Sequence, residues 1–273
     1  MSPPHSRDSL SAYLLEEILA GRIPSGAKLP PERSLAERFG VSRPIVREVL
    51  RSLAERGFVD ILPSRGTYVR EARSSDGARS LDTSYRRRNA TIRELTEARL
   101  MLETYAARLA ASNATDVEIA AMRRCLDDFE RAGHVLEQAR LDLAFHALVV
   151  RASHNTVIET MYASITSLTF ELMLRSLSDR QVHQAGVPLH ENVLQAIVDR
   201  EPDRAAEAMQ EHLEVARRLY GKDFEASVDQ VAQRELQRML GPSASLEGIL
   251  EDVARRHAAL VTAPGPAPGP AAP

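Results

Sequence analysis

Asp142 and His146 stand four residues apart in the stretch RLDLAFHALVV, residues 140 to 150. At about 100° per residue they fall about 40° apart on a helix. Leu143, Phe145, Val149 and Val150 flank them, while Arg140 and Arg151 face away. A carboxylate and an imidazole on a core-facing side cost free energy unless something satisfies them. Two later histidines are candidates. His190 shares a face with Val193, Leu194 and Ile197, and His212 lies among Ala205, Ala208, Met209, Val215, Ala216 and Leu219. The same helical arithmetic points both imidazoles inward. Between them VDREPDR reads as a turn with Pro202 at a helix start. In an antiparallel pair hinged near Glu201, each histidine is about 11 residues from the hinge, which places them side by side.

One carboxylate and three imidazoles suit Zn2+ or another borderline divalent cation, with a position left open for water or a ligand. The alternative is that each histidine is a hydrogen-bonded core residue and that Asp142 simply pairs with His146. His5, His134, His154, His183 and His257 show no comparable arrangement and read as solvated or loop residues. Arg99 shares a face with Ile92, Leu95, Leu102 and Ala106, so it too points inward. A buried guanidinium requires an anion. That anion is either Glu103, one turn on, or the carboxylate of a small ligand held bidentately.

The elements that would position these groups are helical. The chain has 273 residues, 44% hydrophobic and 27% charged, with 4% aromatics and no Trp. That length predicts two domains, and the composition allows packed cores. From about Thr91 to Leu240 the apolar spacing is helical throughout. Before it, the polar run ARSSDGARSLDTSYRRRNA reads as a linker, and TAPGPAPGPAAP at the end reads as a disordered tail. The expected boundaries are 1–73, linker 74–90, helical domain 91–240, and an extension 241–273 in which 244–262 is either a docked or a loose helix.

The first domain has a different pattern. Leu10, Leu14 and Ile18 mark a short amphipathic helix that stops near Gly21. In SLAERFGVSRPIVREVLRSLAERG, Leu35 to Phe39 form a short helix, Gly40 permits a left-handed turn, and Ser42 is suited to cap a second helix. Val46, Leu50 and Leu53 make that helix's core face, and Arg43, Arg47 and Arg51 form a separate stripe. FVDILPSRGTYVR follows as two strands around a tight turn. This is the layout of a winged helix-turn-helix. The helix start bearing Ser42, Arg43 and Arg47 fits the major groove, where Arg can pair bidentately with guanine. Arg65 and Gly66 at the hairpin tip fit the minor groove. The alternative is a solvated charged face.

Net charge is −3, so nucleic-acid binding must come from a local patch. The single cysteine, Cys125, permits no intramolecular disulfide. No apolar run reaches membrane-spanning length, and MSPPHSRDSL lacks a signal-peptide core. A cytoplasmic protein without a membrane partner is expected.

GRIPSGAKLPPERSLAERFGVSRPIVREVLRSLAERGFVDILPSRGTYV resembles the DNA-binding domain of GntR-family transcription regulators. That resemblance implies DNA contacts at Arg33, Arg43, Arg47 and Gly66. Ser42, Pro44 and Arg65 complete the expected DNA-facing set. Pro31 and Pro44 depart from the family pattern, which more often has a small polar residue and Thr there. The loss of a hydroxyl contact would shift operator preference rather than abolish binding. LTEARLMLETYAARLAA, LDLAFHALVVRASHN and PLHENVLQAIVDREPDRAAEAMQEHL are similar to the all-helical effector domain, called FCD, of the FadR-like branch. This implies a metal set of Asp142, His146, His190 and His212, binding of Zn2+ or Ni2+, small organic acids as effectors, and a dimer. REPDR departs from the usual Gly-Asp turn without touching the ligands.

The expected fold class is mainly α, an N-terminal winged helix-turn-helix followed by an all-α antiparallel helical bundle. The expected function is a ligand-responsive transcription regulator, a repressor and not an enzyme. It would bind palindromic double-stranded operator DNA as a homodimer and sense a small carboxylate effector at Arg99 and a divalent metal. Zn2+ is the first expectation, with Ni2+ or Mn2+ as alternatives. Two rivals are a regulator with a purely structural metal, and a metal-dependent hydrolase carrying a DNA-binding appendage.

Overall fold

The computed structural model of the chain describes residues 6–73, 76 and 78–241. The stretch 244–262 and the Pro-rich tail lie outside these residues. The chain divides into two compact units between Gly77 and Ala78.

The first unit holds α1 (Arg7–Leu19), α2 (Glu32–Phe39), α3 (Arg43–Glu55), β1 (Val59–Leu62) and β2 (Gly66–Val69). Ser6 caps α1 and forms a reciprocal capping box with Ser9. Gly40 ends α2 at φ 61°, a left-handed conformation costly for a residue with a Cβ. That turn lets α3 start three residues later, at Arg43. Ser42 takes the backbone cap position, but its hydroxyl makes no capping bond and its side chain is exposed. Leu10, Leu14, Leu35, Phe39, Val46, Leu50, Leu53, Val59 and Val69 bury together. Each aliphatic or aromatic side chain of this kind contributes about 1.5–3 kcal/mol when fully buried. The strands pair antiparallel in the register Val59↔Val69 to Leu62↔Gly66. Gly66 has φ 115°, and a Cβ there would stand 2.6 Å from Lys28 Cε.

The second unit is helical. It contains α4 (Ala78–Arg87), α5 (Ile92–Asn113), α6 (Asp116–Arg131), α7 (Val135–Ala152), α8 (Thr156–Ser178), α9 (Arg180–Gly186), α10 (Leu189–Val198), α11 (Pro202–Leu219) and α12 (Val228–Leu240), with a 3-10 turn at Gly221–Glu225. Thr91 and Thr115 each start their helix with a capping box, to Glu94 and Glu118. Helix α7 packs against α5, α6 and α8, and α5 also packs against α10 and α11. Every residue from Leu141 to Val150 is buried. Phe145 and Val149 pack with Val193 and Met209, while Ala147 and Val150 pack with Tyr162 and Leu168. The helix is therefore enclosed on all sides, which explains its apolar character beyond a single face.

The stretch 74–90, read from sequence as a linker, contains α4, and that helix docks on α8. Its docking surface is largely polar, so no apolar periodicity announced it. Arg86 pairs with Asp82 at 3.0 Å, with Asp229 at 2.9 Å, and with Glu171. Tyr85 adds a hydroxyl contact to Ser164 at 3.3 Å. Glu171 is fully buried, and its Oε2 has no hydrogen-bond partner. Burial pushes its carboxyl up to about 7 even against the opposing pull of Arg86. An unfolded Glu ionises near ~4.3. Between that pH and about 7 the folded state holds the extra proton, so stability falls as pH rises through this window. Urea midpoints measured across it should fall more steeply for the native chain than for Glu171→Gln. Parallel curves would show that Glu171 titrates normally.

Candidate metal centre and DNA interface

Asp142 and His146 project from consecutive turns of α7, His190 from the first turn of α10, and His212 from the middle of α11. All four are buried, and one ligand atom from each lies within 4.8 Å of the others. Asp142 Oδ1 is 3.0 Å from His190 Nε2 and 3.3 Å from His146 Nε2. His146 Nε2 is 3.2 Å from His212 Nε2.

The outer ring nitrogens fix the tautomers. His190 Nδ1 donates to the Val187 carbonyl at 3.0 Å, and His212 Nδ1 donates to the Gly186 carbonyl at 3.2 Å. A carbonyl oxygen can only accept, so both nitrogens carry hydrogen. His146 Nδ1 bonds to Glu103. Burial would raise the Glu103 carboxyl, but Arg99 and His146 hold it at about 2. Being ionised, it too can only accept. In its neutral form a ring so bonded would turn its Nε2 lone pair toward the centre, where the Nε2 atoms of His146 and His212 face each other across 3.2 Å. Lone pairs so placed repel unless a cation or a proton lies between them.

The residues fit a metal. Two ligand atoms each about 2.1 Å from one ion lie roughly 3.0–3.4 Å apart at angles between tetrahedral and octahedral. The short contacts here fall in that range. Outward Nδ1–H donation to a carboxylate or carbonyl is also the usual support for metal-binding histidines. The charges agree. Burial disfavours the Asp142 carboxylate, but His190 and His146 hold it well below its ordinary value. Burial, and then His190 and His146, push His212 well down. His146 is lowered by burial but raised overall by Glu103 and Asp142.

Beside the cluster lies a cavity of about 40 Å³, with room for a few waters or a very small molecule. Arg99, Thr96, Ser176, His183 and Tyr220 supply polar groups to its wall. Arg99 Nε donates to Glu103 at 2.6 Å. So the ion pair to Glu103 is present and Arg99 also lines the cavity. Among the described residues its Nη1 has no hydrogen-bond partner.

His183 does not fit the earlier reading of a solvated or loop residue. It is half-buried on α9 and faces the cavity. No apolar periodicity could place it, because α9 is only seven residues long. Of the remaining histidines, His134 caps α7 and His154 pairs with Glu118, while His5 and His257 lie outside the described residues. Glu103, first seen only as a partner for Arg99, is also the anchor of His146. Its signal was its position on the buried face of α5.

In the first unit, Arg43 and Arg47 are exposed on α3, with Pro44 in its first turn. Both arginines pair with Glu32, at 3.4 and 2.8 Å. Arg33 is exposed and pairs with Glu37. Arg65 lies in the turn before Gly66. Among the described residues no helix is long and apolar enough to cross a membrane.

A winged helix-turn-helix in the first unit and a buried Asp/His cluster in the helical second unit give the layout of a DNA-binding transcription regulator. The comparisons specify it further. Residues 7–69 match the model described as "Bacterial regulatory proteins, gntR family", and residues 94–215 match the FCD domain. The Uxu operon transcriptional regulator of Escherichia coli K12 is 31% identical over 75% of this chain and 82% of its own length. The Glc operon transcriptional activator of the same strain is 28% identical over 74% and 83%. The HTH-type transcriptional regulator LutR of Bacillus subtilis is 29% identical over 77% and 99%. A solved GntR structure from Streptococcus agalactiae superposes with a TM-score of 0.60 at 28% identity, covering 78% of this chain and 99% of that one. This chain belongs to the GntR family of bacterial regulatory proteins and carries an FCD domain. The family and these relatives are transcription regulators, not enzymes, so the hydrolase alternative is set aside.

Proposed function

We propose that this regulator senses a small carboxylate at a divalent ion held by Asp142, His146, His190 and His212, and that it acts as a repressor. The reader occupies 1–73 and the sensor 91–240, with 74–90 between them. The observation carrying this reading is the convergence of three Nε2 lone pairs and one carboxylate oxygen on a common centre, with every Nδ1 committed outward. Zn2+ suits this donor set, with Ni2+ and Mn2+ as alternatives. Held there, the ion would supply positive charge for an anionic oxygen of the ligand. Arg99 faces the same cavity and offers its Nη1 to a carboxylate.

For regulation, a ligand must bind one conformation more tightly than another. Helix α4, the first after the reader in sequence, is held on α8 by Arg86 and is the element whose position ligand binding would bias. A cytoplasmic homodimer places two readers on a palindromic operator, and a change in their separation releases it. A relative aligned over 83% of its own length is named as an activator, so the sign of regulation is a separate part of this proposal.

The test uses the duplex that the chain enriches from a randomised library. Short-chain carboxylic acids are titrated against its complex with metal-loaded and metal-stripped protein. Release that requires both acid and metal is expected. Equal release without metal would refute metal-linked sensing and leave the ion structural, visible only as lost thermal stability. On the same duplex, Arg47→Ala should cost about 1–3 kcal/mol if it reads a base. An unchanged titration would remove Arg47 from the interface.

A further inference from the structure

We infer that Glu32 is a positioning residue for DNA reading, a buttress that presents the Arg47 guanidinium end-on to a guanine. This rests on the reading that Arg47 contacts a base. Arg47 Nε lies 3.1 and 2.8 Å from the two oxygens of Glu32, so the carboxylate grips the guanidinium at its inner edge. Arg43 Nη2 makes a longer contact to the same carboxylate at 3.4 Å. Glu32 comes from the first turn of α2, eleven and fifteen residues before its partners, so this contact crosses the turn of the helix-turn-helix. Arg33 by contrast pairs within its own helix, with Glu37.

The chemistry follows from the shape of the guanidinium, a planar fork of five N–H donors. With Nε occupied, Nη1 and Nη2 remain, and these two can meet guanine O6 and N7 bidentately. Holding Nε restricts the side chain before DNA arrives, so less freedom is lost on binding. The carboxylate has a second consequence. It offsets the arginine charge close to the DNA backbone, so a duplex lacking the guanine gains little from Arg47 and meets a nearby negative charge. Specificity is a difference of affinities, and Glu32 works on both sides of it.

The test compares the library-enriched duplex with the same duplex carrying adenine in place of its half-site guanines. Dissociation constants are measured over a salt series for the full-length chain, Glu32→Gln, Arg47→Ala and the double variant, alongside thermal midpoints. Glu32→Gln should lower the ratio between the two duplexes by about tenfold, within the range of one bidentate base contact. Much of that change should be tighter binding of the adenine duplex, with a steeper salt dependence and an unchanged thermal midpoint. In the Arg47→Ala background the same substitution should leave the ratio unaltered. Equal tightening on both duplexes would overturn the inference, because Glu32 would then be acting only as a charge. An Arg47→Ala ratio equal to that of the native chain would instead defeat the base contact itself, and the buttress with it.

Discussion

His212→Ala should yield a protein that no longer holds a divalent ion after purification and dialysis. The native chain offers four ligand atoms, and the variant offers three with a hole beside them. The loss is larger than one ligand in four suggests. His212 Nε2 faces His146 Nε2 at 3.2 Å, so the two rings define one side of the centre together. His212 comes from α11, whereas Asp142 and His146 share α7. Removing it takes away one of the three helices that close the site. Elemental analysis of native and variant protein checks this directly, and full occupancy in the variant would refute the assigned site. Adding metal should raise the thermal midpoint of the native chain but not of the variant, since an ion stabilises only the state that binds it.

Glu103→Ala should destabilise the helical unit by about 3–5 kcal/mol, the usual cost of leaving a buried charge without its partner. The Glu103 side chain is fully buried, and Arg99 beside it is almost so. No other acidic partner for Arg99 is present among the described residues. His146 loses its Nδ1 acceptor in the same step. Loss of such an outer partner typically weakens metal binding ~10–100-fold. One substitution therefore acts on stability and on metal affinity through two contacts of one carboxylate. Arg99→Ala should be milder, because Glu103 keeps His146, and metal should remain bound while any response to a carboxylate weakens. The double variant should be less damaged than the sum of the two single changes, because it removes both buried charges. Chemical denaturation and metal titration of all three variants decide the matter. Strict additivity would show that Arg99 and Glu103 do not act as a pair.

Much of this architecture was legible in the residue order. The Gly40 stop, the core stripe Val46–Leu50–Leu53 and the Pro-Ser-Arg-Gly turn outline the reader, because such signals are local; Ser42 marks where α3 starts, though its hydroxyl makes no capping bond. The hinge near Glu201 placed His190 and His212 at similar height, because helical rise is constant. Helix α4 was not legible. Its docking rests on Arg86 meeting Asp82, Glu171 and Asp229, and a charged side chain carries no mark of burial until its partner arrives. His183 and Glu32 escaped notice for a similar reason, as each matters through a neighbour distant in sequence.

The residue order alone determined which side chains share a helix face, since a fixed angle and rise per residue require nothing beyond the helix itself. It could name Asp142, His146, His190 and His212 as inward-facing. Only the tertiary structure decided that those faces meet. It also decided that the Val187 and Gly186 carbonyls, with Glu103, take the outer nitrogens of the three rings. Every residue has a backbone carbonyl, so nothing in the side chains distinguishes the two that matter. Packing selects them, and by settling where each ring proton sits it leaves the inner lone pairs pointing at one centre.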